Sequence, residues 1–156
     1  MDAGILRRSI SAQLRILRRK PEWPVIRSAE RALERQGALP QLLLVHLQGT
    51  TDSKESAQAS DQALGMLVEA VTRSKSWPQT AIFVVEANAQ GADSIDRHRS
   101  PAFIVSPYSV RNAVDSNFYN SASVLRTIEL ILGLRPMTQF DAGSSPMWTA
   151  FQETPD

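Results

Sequence analysis

Three short runs in this chain place apolar residues at consecutive positions: Gln41–Leu47, Thr80–Glu86 and Ala102–Ser106. A short run that is apolar at both parities suits a strand covered on both faces, as strands of a parallel sheet are. The segments around them have helical spacing. Residues 61–74 carry Leu64, Leu67, Val68 and Val71 at i, i+3, i+4 and i+7, which predicts a helix with one apolar face. Residues 121–132 carry Val124, Leu125, Ile128, Ile131 and Leu132, and Gly133 and Pro136 provide the stop. Upstream, Leu6, Ile10, Leu14 and Leu17 mark an amphipathic helix over 3–19, and a second helix is expected from Pro24 to Gly37. The tail from Met137 to Asp156 has no clear period and is expected to pack irregularly.

Helices alternating with buried strands predict an α/β fold with a mostly parallel sheet flanked by helices. Three strands make a thin slab with open edges. The expectation is therefore a partial domain, residues 24–156, preceded by a basic amphipathic helix over 1–23.

Composition narrows the function classes. A chain of 156 residues can bury one ordinary core. It contains no cysteine, which excludes disulfides and thiolate metal sites. No apolar run reaches the roughly 20 residues of a membrane span. The start, Met1 to Arg8, lacks an apolar signal core; the expectation is a cytoplasmic chain as written, or one whose true start lies upstream. Residues 1–35 hold nine Arg and Lys against four acids, whereas the rest of the chain holds eight against twelve. Such a basic arm could touch nucleic acid, an anionic lipid or a protein partner, or be a solvated helix face. Because it lacks interleaved aromatics and a recognition motif, the solvated face is the expectation over nucleic acid.

In open α/β sheets, sites form beyond the carboxyl ends of strands. The stretch after the second run collects Glu86, Asn88, Asp93, Asp96 and His98 within thirteen residues. Carboxylates with an imidazole suit a hard-metal or mixed oxygen and nitrogen site. By composition alone, a solvated loop with one surface histidine is the favoured reading, because no ligand-spacing motif is complete.

The stretch Val84–Ser100 resembles the phosphoesterase pattern V-V-E-D-D-A-Q-x-G-x-D-H-V-D-x-H-R, found in the alkaline-phosphatase superfamily. Ser106-Pro-Tyr108 matches the S-P-Y that follows it, and Val114-Asp-Ser-Asn-Phe-Tyr119 matches V-D-S-x-F-Y. Leu125 to Met137 matches L-R-T-x-E-L-I-L-G-L-x-P-M. The likeness also takes in Asp61–Val71 and Ser74–Pro78, and runs from about Pro24 onward. It implies the C-terminal portion of an alkaline-phosphatase-like domain and hydrolysis of phosphoric esters. It also implies divalent metals (Zn, Mn, Ca or Mg) that polarise the phosphoryl group, in a family often found outside the cytoplasm.

The departures from that pattern fall on the ligands. The paired aspartates of the family correspond to Ala87 and Asn88, and the first histidine to Ser94. The Asp and His of a family N-D-H-T motif correspond to Thr50 and Thr51. What remains is a remnant metal set of His98, Asp93, Asp96, Asn88 and Glu86, no assigned catalytic residue, and no tightly bound metal. The expected function is a truncated or degenerate phosphoesterase-like domain, inactive alone, whose partner could be a missing N-terminal half. The alternatives are an interaction module built on the basic arm, and a weak one-metal hydrolase.

Several other residues carry narrower expectations. His46, within an apolar run, is expected as a core histidine. Trp23, Trp77 and Trp148 are expected to pack, and Arg126 to form a structural ion pair rather than hold phosphate. Asp115 and Tyr119 belong to a matched motif, without a local reason to assign them a role.

Overall fold

The computed structural model describes residues 40–47, 54–86 and 99–156. The helices expected over 3–19 and from Pro24 to Gly37, Trp23, and the domain boundary near residue 23 lie outside them. The chain divides into two units, with the break between Trp77 and Pro78.

In the first unit, residue 41 sits at a bend and residues 42–47 have no regular secondary structure and no ladder partner among the described residues. The expected strand is thus not formed there. Exposure alternates along it, and His46 faces solvent, which corrects its assignment to the core. Consecutive apolar residues favour extended chain, but only a hydrogen-bonded neighbour makes a strand. Helix α1 spans Lys54–Thr72 and begins before the apolar pattern does. Its buried residues, Ala63, Leu67 and Val71, recur every fourth position and lie on one face. The end is closed by side chains: Thr72 Oγ1 donates to the Val68 carbonyl (2.9 Å), and Ser74 Oγ to that of Val71 (2.7 Å). The Val71 carbonyl, one of those the last turn leaves without an i+4 helical partner, also accepts Ser74 N–H (3.0 Å).

The second unit contains strands β1 (Ile82–Val85) and β2 (Ala102–Val105). They pair antiparallel, with Ile82 opposite Val105 and Val85 opposite Ala102. The expectation of a mostly parallel sheet is corrected for this pair. An apolar run fixes extended conformation and burial, but carries no information on strand direction. Nor is the pair covered on both faces, since Val85 and Phe103 are 54% and 60% exposed. Phe83, on the same face as Val85 two positions away, packs against Phe151, with ring centroids 6.2 Å apart.

Helix α2 spans Ser121–Ile131. Asn120 caps it: its side chain accepts from Ser123 N–H (2.9 Å), while Asn120 N–H donates to Ser123 Oγ (3.3 Å). Gly133, with φ of 65°, ends it. Leu134 N–H reaches back to the Glu129 carbonyl (2.8 Å) and Gly133 N–H to that of Leu130 (3.2 Å), a closure that needs a residue tolerant of positive φ.

The most buried residues of α2 are Ala122, Ser123, Thr127 and Glu129, rather than the predicted apolar stripe. Ile131 is 53% exposed. The reason is what packs there. Met147 N–H donates to Thr127 Oγ1 (3.0 Å), which itself donates to the Ser123 carbonyl (2.7 Å). Glu129 is paired with Arg126 at 3.3 Å, which gives the arginine its structural role.

The tail is more ordered than its sequence suggests. Helix α3, Gln139–Ala142, is capped by Thr138, and a 3-10 turn follows at Trp148–Ala150. The chain then runs beside residues 107–110, with Val110 N–H to the Ala150 carbonyl (3.0 Å) and Gln152 N–H to that of Tyr108 (2.8 Å). Trp77 is half-buried, whereas Trp148 is 65% exposed, so the packing role expected of it is not what the fold gives it.

Replacing Thr127 with the isosteric valine leaves the Met147 N–H buried without an acceptor. Thr127→Val is expected to lower unfolding free energy by roughly 1–3 kcal/mol, read from the midpoint of urea denaturation.

Candidate functional site

Of the expected ligand set, only Glu86 falls within the described residues. It follows β1 directly and is exposed. Asn88, Asp93, Asp96 and His98 lie outside them, as do Ala87, Ser94, Thr50 and Thr51. Among the described residues, no group of three or more histidine, aspartate or glutamate side chains could hold a metal ion. The described residues therefore do not by themselves supply the ligands of a divalent metal.

What the fold does bring together is a second set of residues. Asp115 lies in the exposed stretch after β2, and Thr149 lies over thirty positions later in the 3-10 turn. Thr149 Oγ1 donates to Asp115 Oδ2. The Tyr119 hydroxyl donates to the same oxygen (3.1 Å) and lies 3.0 Å from Thr149 Oγ1. Asn117 N–H occupies Asp115 Oδ1 (2.9 Å). These donors, Thr149 foremost and Asn117 N–H next, hold the Asp115 carboxyl below its ordinary pKa. Both carboxylate oxygens are engaged, so the group acts as a clasp between two segments rather than as a free base. Asp115 and Tyr119 were visible as members of one motif. Thr149 carried no local signal, because only folding brings it to them.

A second carboxylate is organised more tightly. Asp141 is 2% exposed and accepts from Met137 N–H (2.7 Å), Thr138 N–H (2.8 Å) and the Thr138 hydroxyl. The Thr138 hydroxyl is the main cause, and the Met137 N–H a further one, of a pKa far below the usual carboxylate range.

Two concavities flank these groups. An apolar groove of about 460 Å³ is lined by Leu130, Ile131, Trp148 and Phe151 among others. A smaller one, about 420 Å³, opens at the starts of α2 and α3, between Phe118 and Phe140.

Comparison with known proteins places the chain. The model of the Phosphoesterase family matches residues 26–135, and the chain belongs to that family. No curated protein and no solved structure matches the chain significantly. The match takes in β1, β2, α2, the Glu86–His98 stretch and the Asp115–Tyr119 motif.

Both Asp115 and Asp141 have folded-state pKa values below those of the unfolded chain. Their stabilisation is therefore complete above the unfolded carboxylate pKa, about 3.9, and is lost as pH falls through the folded values. Thermal midpoints are expected to be flat near neutrality and to drop below about pH 4. Asp141→Asn should lower the midpoint at pH 7 and flatten that acid limb.

Proposed function

We propose that this chain is a phosphoesterase-family domain of alkaline-phosphatase-like ancestry whose metal-binding stretch is degenerate, and that it does not hydrolyse phosphate esters by itself. One observation carries the reading. The family match spans the stretch Glu86–His98, and within it Ala87, Asn88 and Ser94 stand where the resembling pattern has two aspartates and a histidine. Alanine offers no ligand atom. Asparagine offers a neutral carbonyl oxygen, and serine a weakly basic hydroxyl.

Two-metal phosphoryl chemistry needs several anionic or imidazole ligands per ion, both to offset ion desolvation and to fix geometry. Loss of outer-shell partners alone weakens metal binding about 10–100-fold, and three ligand-position changes exceed that. Glu86, Asp93, Asp96 and His98 would form the remnant of one site. Together with Asn88 they are the residues that would hold Zn, Mn, Ca or Mg if any is bound. The start of the family match at residue 26 supports setting the basic arm over 1–23 apart from the domain. An architecture flanked by helices on a larger, mostly parallel sheet is part of the same reading, with β1 and β2 as an antiparallel element within it.

The test is hydrolysis of p-nitrophenyl phosphate by the purified full chain with added zinc or manganese. No turnover above the metal-only control is expected. Restoring the pattern with Ala87→Asp, Asn88→Asp and Ser94→His together should tighten metal binding by at least about tenfold. Metal-dependent turnover by the unaltered chain that disappears in His98→Ala would overturn the proposal in favour of a one-metal hydrolase.

A further inference from the structure

The groove at the starts of α2 and α3 has a lining unlike that of a core. Phe118 and Phe140 flank it, yet they are 85% and 71% exposed. The remaining lining is small or neutral polar: Asn120, Gln139, Gly143 and Ser145 among others, with no charged side chain. The ring contact between Phe83 and Phe151 is the one present among the described residues, so the two flanking rings do not close on each other.

The backbone positions of the two phenylalanines are set by their neighbours. Phe118 stands between Asn117 and Tyr119, both bonded to Asp115. Phe140 lies in α3, whose start is held by the Thr138 cap.

Hydrogen-bonding capacity remains in the groove. Asn120 uses Oδ1 for Ser123, which leaves its amide NH₂. The side chains of Gln139 and Ser145 make no hydrogen bond among the described residues. Ser144 is engaged differently, donating to the Phe140 carbonyl at 2.8 Å. The groove therefore offers amides and a hydroxyl that donate and accept, beside two exposed phenylalanines, without a counter-charge for a phosphate or a metal. Aromatic faces carry negative charge density and attract weakly positive C–H groups. The volume, about 420 Å³, lies within the range of small-molecule sites, roughly 300–1,000 Å³.

We propose that this groove binds a neutral sugar ring, with Phe118 and Phe140 stacking on its C–H faces and Asn120, Gln139 and Ser145 meeting its hydroxyls. This goes beyond the phosphoesterase reading and uses none of the residues that reading assigns to metal. A sugar satisfies both halves of the lining: an apolar face for the rings, and an edge of groups that donate and accept for the amides. A planar base would use the rings but present fewer hydroxyls, and an anion would find no positive partner.

The experiment is titration calorimetry of the full chain with maltose, cellobiose and N,N′-diacetylchitobiose, with adenosine and inorganic phosphate as comparison ligands. Saturable binding of at least one disaccharide, in the millimolar range or tighter, is expected. Phe118→Ala and Phe140→Ala should each weaken it about tenfold, whereas Phe118→Tyr should retain it. Because both rings are exposed, circular dichroism and the thermal midpoint of these variants should match the parent. Absence of binding by all three sugars, binding indifferent to both alanine variants, or binding of adenosine or phosphate instead would overturn the proposal. None of these ligands is a phosphate ester, so failure here leaves the phosphoesterase reading untouched.

Discussion

The relay from Met147 through the Thr127 hydroxyl to the Ser123 carbonyl is the contact on which the C-terminal region depends. It docks the segment after α3 onto α2 through a hydrogen bond that water cannot replace at that depth. Once residue 147 is fixed, the 3-10 turn at Trp148–Ala150 is placed, and the next residues reach the 107–110 segment and pair with it. Thr149 is then delivered to Asp115 and Tyr119. A buried donor left without its acceptor carries the full desolvation penalty, so this one hydroxyl fixes the register of the tail more sharply than apolar contact would.

This explains why the buried face of α2 is polar. The pattern Val124, Leu125, Ile128, Ile131 and Leu132 predicts an apolar stripe, and all of these but the exposed Ile131 are half-buried. The positions sealed most completely, however, are Ser123, Thr127 and Glu129, each matched to a partner: Asn120, Met147 and Arg126 respectively. Asp141 repeats the scheme in α3, where two backbone N–H groups and a threonine hydroxyl hold a buried carboxylate. Hydrogen bonds of this kind specify geometry because they are directional, whereas apolar burial tolerates sliding.

The family was legible in the chain before any coordinates, through motifs in order from Asp61 to Met137, and the family match over 26–135 agrees. The candidate metal site was legible only as a set of residue types, since just Glu86 of that set falls among the described residues. The clasp of Asp115, Tyr119 and Thr149 was half legible. Two of its members share one motif, but the third is distant in sequence and has no neighbour that marks it. The groove flanked by Phe118 and Phe140 was not legible at all, because the two residues are distant in sequence and only the fold brings them to one groove.

The sequence by itself determined the helices α1 and α2, the stop at Gly133, the extended character of the runs that form β1 and β2, and the residue types, Ala87, Asn88 and Ser94, on which the proposed loss of ligands rests. These follow from local periodicity, the conformational range of glycine, and side-chain chemistry, none of which needs a distant partner. Tertiary structure decided that β1 and β2 run antiparallel, that residues 41–47 remain unpaired among the described residues with His46 exposed, and that the polar side of α2 is the buried one. Each of these is a choice of partner. Chain pattern fixes which residues prefer to be extended, helical or buried, but only long-range contact fixes what they face.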